Sequence, residues 1–495
     1  MLATPPDFDV LIVGAGISGI GMAAHMEMTC PNRSYAVLDR REKLGGTWDL
    51  FRYPGIRSDS DMHTLGFGFE PWRDEESIAK GERILDYLNR IADERGIRRH
   101  IRLDHKVLSA DFRHEEARWH VTVETGGQQH VMTANWLFLG SGYYDYDQPY
   151  DAGFQGTEDF AGEIVHPQFW PANFDYSDKN VVVIGSGATA VTIVPVMAEK
   201  AAKVTMLQRT PTWIRSVPAK DGIANFLRKV LPDEWAYRLT RWKNVFLTDL
   251  MFKRSRTHPE QVADSLKDRA RKALGDKYDP VALEPPYNPW EQRMCFIPDG
   301  DLFEAMKAGK AEIVTDQIDR FVPEGIRLAS GSVLPADIIV TATGLNIAVM
   351  GKIAISVDGE PVRFNERYYY KHCMFSNLPN FAAVFGYLNA SWTLRVDIVA
   401  EYVCKVMNRM DELGAEIVTP ILAENHGLEE DDIFDFSSGY LQRSKHLMPR
   451  NSPVMPWRMN QDYRKDRDDL KNLPIEDGIL RFEAAHSSAN LQAAE

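Results

Sequence analysis

Two short apolar runs, Val10-Leu11-Ile12-Val13 and Val181-Val182-Val183-Ile184, each end at a glycine-rich hexamer that leads straight into a helical pattern. A continuous run of branched residues suits a strand buried on both faces, and a strand, tight turn and helix in succession open a βαβ unit on a parallel sheet. Meeting that arrangement twice in one chain predicts an α/β fold with two Rossmann-like, dinucleotide-binding halves.

The first hexamer, Gly14-Ala15-Gly16-Ile17-Ser18-Gly19, has the spacing G-x-G-x-x-G. Gly14 permits the turn, Gly16 lets the backbone approach a pyrophosphate, and Gly19 lets the helix lie close to the strand. Ser18 falls in the first helical turn, whose amides and partial positive charge attract the anion. A second short strand, residues 34–38, ends at Asp39, 20 residues beyond Gly19. A carboxylate there accepts from an unphosphorylated adenosine ribose, as in FAD or NAD.

The second hexamer, Gly185-Ser186-Gly187-Ala188-Thr189-Ala190, repeats the pattern with alanine in the third glycine position. Its next strand, residues 203–207, runs into Gln208-Arg209-Thr210 rather than an acid. With no carboxylate to repel it, a 2′-phosphate pairs with the Arg209 guanidinium, which predicts NADPH rather than NADH. The competing reading of Arg209 is a solvated arginine at a strand end.

At 495 residues the chain exceeds what one core supports, and two or three domains are expected. A net charge of −14 argues against nucleic acid as a partner. The four cysteines, Cys30, Cys295, Cys373 and Cys404, have neither disulfide-framework nor zinc-like spacing, so no metal is expected and a reducing cytoplasm suits them. No signal peptide precedes the first strand, and the uncharged stretch 181–198 contains Gly185, Gly187 and Pro195, as a buried strand and helix would, so no transmembrane segment is inferred. The oligomeric state is not legible.

The chain is expected to divide into an FAD-binding domain (1–145 and 346–495), an NADPH-binding domain (146–220 and 290–345) and a helical insertion (221–289). In the first domain a helix is expected near 83–94, with strands near 101–108, 119–123 and 136–139. The polar, aromatic stretch 143–149 reads as a crossing between domains. The insertion carries charged, amphipathic patterns whose aromatic residues either pack or line a substrate entrance. The strand 335–344 returns the chain to the α/β pattern, a helix follows at 394–410, and the polar end after Ala484 reads as frayed.

Between the two loops lies Phe160-Ala161-Gly162-Glu163-Ile164-Val165-His166-Pro167-Gln168-Phe169-Trp170-Pro171, or F-x-G-x-x-x-H-x-x-x-W-P. Bracketed in this way, it resembles the type I Baeyer–Villiger monooxygenases of the flavin-containing monooxygenase superfamily. The segments 45–61 and 287–293, containing G-G-T-W-D-L-F-R-Y-P-G-I-R-S-D-S-D and Y-N-P-W-E-Q-R, look most like the ethionamide-activating members. The resemblance implies an enzyme that uses FAD, NADPH and O2 to convert ketones to esters or lactones through a flavin C4a-peroxide, with sulfides or thioamides as further small-molecule substrates. It implies Arg293 as the active-site arginine and Asp59 as the flavin-side carboxylate holding it, since an unpaired buried acid is costly. Thr47, Trp48, Asp49, Leu50, Arg57 and Ser58 would contact FAD, and Val107 the adenine through its backbone. Many cyclohexanone-type members have Lys-Arg where this chain has Gln292-Arg293, which puts more of the NADPH recognition on Arg209.

His166 invites a proton-transfer role, but its place between the two loops favours a domain-junction role. A disulfide reductase shares the two-loop plan and needs a redox dithiol, which no closely spaced cysteine pair supplies. An S- or N-oxygenating flavin monooxygenase with little ketone activity is the sharper rival. Retention of Asp59 and Arg293 disfavours a non-enzymatic nucleotide sensor.

Overall fold

The computed structural model describes residues 5–432 and 436–484; the stretch after Ala484 read as frayed lies outside them. Two sheets organise the chain, and each begins at one of the apolar runs. In the first, the strand Phe8–Val13 lies between Tyr35–Leu38 and Gln128–Leu139, parallel to both. The strand Phe381–Ala383 also pairs in parallel with Gln128–Leu139, so a segment far along the chain returns to this sheet. An antiparallel meander, Lys106–Arg113, Arg118–Thr125 and Gln128–Leu139, extends it to one side.

The second sheet is wholly parallel, in the order Ala311–Thr315, Lys203–Gln208, Asn180–Ile184, Ile338–Thr341, Glu163–Val165. Central strands of both sheets are buried along nearly their whole length, which is why they read as unbroken apolar runs rather than alternating ones. The fold is α/β with two Rossmann-like sheets, as expected from the two loops.

Helix Ile17–Thr29 follows the first loop and is buried from Ser18 to Met26, packed against the 21-residue helix Thr393–Leu413. Gly14 has φ +103°, and a Cβ there would stand 2.6 Å from the carbonyl oxygen of Gly140. A Cβ on Gly19 would meet the Gly14 carbonyl oxygen at 1.8 Å, so the helix approaches the strand as closely as backbone allows.

One expected strand differs. Residues 101–108 are not continuous: Ile101–Arg102 pairs in parallel with Val37–Leu38, the chain turns at Asp104 (φ +58°), and Lys106–Arg113 starts the antiparallel meander. A left-handed residue cannot continue a strand, and aspartate tolerates that conformation better than most.

Residues 222–283 are helical, as Gly222–Val230, Asp233–Thr257, Pro259–Leu274 and Pro280–Leu283. The long helix is tied to the first half of the chain: Tyr237 donates to the Phe67 carbonyl (2.8 Å), Arg241 donates to the Gly66 carbonyl (2.6 Å) and pairs with Asp397 (3.1 Å). Packing and cavity lining are both its work, because residues 244–252 also form one wall of a cavity. No helix among the described residues is long and apolar enough to cross a membrane.

Candidate functional site

A deep cavity opens at the carboxyl end of strand Phe8–Val13, where ligands of open parallel sheets bind. Gly14, Gly16, Ser18, Asp39, Thr47, Trp48, Arg57, Ser58, Asp59 and Val107 line it from the first half of the chain, Ala188 and Thr189 from the second loop, and Arg293 from beyond the helical segment. Its floor suits a pyrophosphate. The helix starting at Ile17 has no side-chain cap at Gly16, so its first amides carry no side-chain acceptor, and Gly16 faces Gly46 with backbone alone. Arg57 pairs with Asp301 at 2.5 Å through one nitrogen, while its buried Nη2 has no partner. An unpartnered buried guanidinium nitrogen on a cavity wall is the mark of a place that an anion or acceptor completes.

Asp39 is 7% exposed and takes the Ala15 amide on Oδ2 (2.6 Å) and the Arg41 amide on Oδ1 (2.9 Å). Burial pushes its carboxyl up and the two amides oppose that rise. The acid that reads as a ribose acceptor therefore also braces the glycine loop.

Arg293 and Asp59 meet at 2.6 Å, with side chains 31% and 43% exposed. Asp59 is set by its neighbours: Ser58 donates its amide to the Ala79 carbonyl (2.8 Å) and its hydroxyl accepts the Ala79 amide (3.0 Å). Arg293 emerges just before the strand Cys295–Pro298, which pairs in parallel with Ile214–Val217. Burial works against the charge on Arg293, but Asp59 and the hydroxyls of Tyr143, Tyr440 and Tyr144 more than offset it, so the guanidinium is held above its usual range. It is a permanent cation.

Arg293 and Asp59 also line a second cavity of about 790 Å³, whose other walls include Met251, Phe252, Trp290, Phe296 and Leu388. The ion pair thus stands between a glycine-walled cavity and a largely apolar one. Cys295 is the cysteine at this site, and burial pushes its thiol up to about 11.

Tyr143, Tyr144 and Tyr440 escaped the sequence reading as site residues, whereas the family resemblance places the segment 386–393, with Trp392, near the flavin. Tyr143 stacks on Trp392 (centroids 5.1 Å, 13° between planes), its hydroxyl bonds to that of Tyr144, and Trp392 donates to Ser18 Oγ at 2.8 Å. Residues 143–146 are therefore cavity wall as well as a crossing. Tyr440 is brought in from the far end of the chain, where the Ser437 amide donates to the Glu291 carbonyl (2.9 Å). No local motif marks it.

Other residues expected at the site are not on this cavity. Asp49 is 6% exposed and is held by Arg41 (2.5 Å) and Arg52 (3.1 Å), Leu50 is not part of the lining, and Gly19 is packed against the backbone of Gly14 and Gly140. Of the second loop, Gly185, Ser186, Gly187 and Ala190 lie outside the lining, as do Arg209 and Thr210. Ser186 donates its hydroxyl to the Thr210 carbonyl at 3.0 Å, which ties the loop to the end of its second strand. Gln208 is consumed by the Ala282 carbonyl and the Thr315 hydroxyl, whereas Arg209 is exposed.

The run 160–171 borders neither cavity. It supplies the edge strand Glu163–Val165 of the second sheet, His166 Nδ1 accepts the Gln168 amide (3.2 Å), and Gln168 donates to the Asp145 carbonyl (2.7 Å) on the segment joining the two sheets. Burial lowers the His166 pKa, so the ring is neutral at pH 7. A Cβ on Gly162 would stand 2.2 Å from the Asp337 carbonyl oxygen and 2.6 Å from the Phe160 ring. Gly162→Ala is expected to lower stability by ~1–3 kcal/mol through overpacking; an unchanged Tm in thermal unfolding would contradict that account of the motif.

A family model described as pyridine nucleotide-disulphide oxidoreductase matches residues 11–230. The chain is 48% identical over 476 residues to the FAD-containing monooxygenase EthA of Mycobacterium tuberculosis, covering 96% of this chain and 97% of that one. It is 44% identical over 477 residues to the probable FAD-binding monooxygenase AlmA of Acinetobacter baylyi, covering 96% of each. Among solved structures, an oxidized steroid monooxygenase bound to NADP superposes with a TM-score of 0.75 at 21% identity, over 96% of this chain and 99% of that one. An open cyclohexanone monooxygenase gives 0.74 at 18% identity, with the same coverage.

Proposed function

The chain belongs to the FAD-containing monooxygenases, and from that premise we propose that it is an NADPH- and O2-consuming Baeyer–Villiger enzyme, converting ketones to esters or lactones and also oxidising sulfides or thioamides. The observation that carries the proposal is the Arg293–Asp59 pair standing between the glycine-walled cavity and the apolar one. FAD, reduced by NADPH and reacting with O2, supplies the oxygen-transfer chemistry when bound.

Gly14, Gly16 and Ser18 would hold its pyrophosphate, Asp39 its ribose, Val107 its adenine through the backbone, and Thr47, Trp48, Arg57, Ser58 and Asp59 the remainder. Asp49 and Leu50 would act from behind this layer. Residues 1–145 with 346–495 would form the FAD domain, 146–220 with 290–345 the NADPH domain, and 221–289 the insertion that walls the substrate cavity.

Arg293 has a definite task in such a site. Its charge faces the negative charge that develops on oxygen as the carbonyl is attacked, and the low-polarity walls strengthen that interaction by excluding water. Asp59 fixes the guanidinium plane from one side, leaving its remaining N–H groups for the reacting oxygens. The rival reading, sulfur or nitrogen oxygenation with little ketone activity, rests on the same cavity, whose lining is mostly apolar by area. Mass-spectrometric product analysis of a ketone and thioether panel with NADPH and O2 separates the two. Absence of ester from every ketone would overturn the Baeyer–Villiger assignment.

In the second half, Gly185, Ser186, Gly187, Ala188, Thr189 and Ala190 would cradle the NADPH pyrophosphate, with Arg209 and Thr210 at the 2′-phosphate. Helix Ala188–Met197 also starts without a side-chain cap, and a Cβ on Gly187 would meet open space. Arg209→Ala is expected to reduce the NADPH over NADH preference in kcat/KM by about tenfold, the worth of one exposed charge-assisted contact. The loss should fall on the NADPH KM, and an unchanged ratio would remove Arg209 from the phosphate site.

A further inference from the structure

We propose that the outer face of helices Gly222–Val230 and Asp233–Thr257 docks this protein on an anionic lipid surface. Nine of the nineteen exposed large apolar side chains among the described residues fall within residues 223–250. On the long helix Trp235, Leu239, Trp242, Phe246 and Leu250 recur at i, i+4, i+7, i+11 and i+15, one continuous stripe, and Trp235 and Trp242 are 58% and 66% exposed. Phe226 extends the apolar surface onto the short helix at 62% exposure. The opposite face is spent: Ala236, Tyr237 and Thr240 are buried against the rest of the chain. A contiguous exposed apolar patch of this kind marks an interaction site.

Charge identifies the occupant. Residues 221–257 contain eight Lys and Arg against four Asp and Glu, a local charge of +4 in a chain whose net charge is −14. Lys229, Arg238, Lys253 and Arg254 are exposed around the stripe. Arg238 pairs with Glu234 and Lys253 with Asp249, but exposed pairs of this type are weak and yield to a denser array of anions. Tryptophan and phenylalanine along one face with lysine and arginine beside them is the composition of a helix lying in a bilayer interface. A second copy of this chain, meeting the same face by a two-fold axis, would instead press like charges together. The remaining surface, strongly acidic, would be repelled by anionic lipid and so would leave this face as the one that docks.

The stripe also runs into the apolar cavity, whose lining includes Ile223, Leu247 and Leu250. Resting on the proposed function, docking would set the mouth of the cavity beside Arg293 against lipid and favour membrane-dissolved ketones or sulfides as substrates.

The test is co-sedimentation of the flavin-loaded protein with phosphatidylcholine vesicles, with and without about 30% phosphatidylserine, at low and high salt. The expected result is binding to the serine-containing vesicles that weakens with salt and falls tenfold or more in the Trp242→Glu/Phe246→Glu double variant. Should that variant misfold, Trp235→Ser/Leu239→Ser replaces it. No binding to phosphatidylserine vesicles, or equal binding by a folded variant, overturns the proposal. So does a dimer in light scattering that Trp242→Glu dissociates, which assigns the face to a second copy. Because binding is read without substrate, its failure leaves the monooxygenase reading untouched, and a lack of oxygenation leaves the docking result standing.

Discussion

Arg293→Ala is expected to retain bound flavin and NADPH-driven flavin reduction while ester formation falls about 100-fold or more, the cost typical of removing one well-placed donor to developing charge. The structure makes the separation reasonable. Arg293 pairs with Asp59 at the boundary of the two cavities, whereas the glycine loop, Asp39 and Val107 lie on other walls and do not depend on it. Electrons drawn from NADPH should then leave as hydrogen peroxide. Arg293→Lys should recover little, because an ammonium cannot hold Asp59 and face the reacting oxygens with one planar fork. Single-turnover measurements following flavin absorbance, peroxide and ester together decide the matter. A near-normal ester yield in Arg293→Ala would sink the assignment of the catalytic centre.

What could be read from sequence was what is local. The strand, glycine turn and helix at residues 10–28 and 181–197 are legible because the apolar run, the turn and the helix start are contiguous, and Gly14, Gly19 and Gly185 each answer a backbone contact within the loop or at a fixed sheet position. The Asp39 carboxylate could be found by counting, since the βαβ unit fixes its distance from the loop. Arg293 and Asp59 are 234 positions apart and were joined only through the family resemblance and the cost of an unpaired acid. Tyr440 had neither signal, for it is carried to Arg293 by a distant segment whose Ser437 amide and hydroxyl both donate to the Glu291 carbonyl and whose Phe436 and Leu441 are buried in the core. How far Arg209 lies from the ion pair was equally illegible, because it depends on how two sheets sit together and not on spacing within either. The split strand at Asp104 was missed for a simpler reason: the apolar alternation continues across a turn that one left-handed residue imposes.

The largest stability effect should come from Arg395→Met. Arg395 and Asp466 are both 0% exposed and meet at 2.8 Å, with Tyr387 donating to the same carboxylate oxygen at 2.7 Å and the guanidinium stacked 4.0 Å over the Tyr387 ring. Arg395 also donates to the carbonyls of Asn460 and Phe385, so it joins helix Thr393–Leu413 to helix Tyr463–Asn472 beneath Tyr387, which lines the glycine-walled cavity. Removing one partner of a buried pair strands the other, at a cost of ~3–5 kcal/mol. The pH dependence gives the mechanism away. Burial already pushes the Asp466 carboxyl up to about 6 despite Arg395, so its ionisation in the folded protein is unfavourable relative to the unfolded chain, and that part of the stability is lost as pH rises through about 6. Without Arg395 the folded-state pKa climbs further and the unfolded-state value does not. The variant should therefore be destabilised more at pH 8 than at pH 5, where Asp466 is largely protonated in both proteins. Denaturant unfolding at the two pH values tests this. An equal loss at both would mean that Arg395 contributes packing and carbonyl contacts alone, with its charge silent.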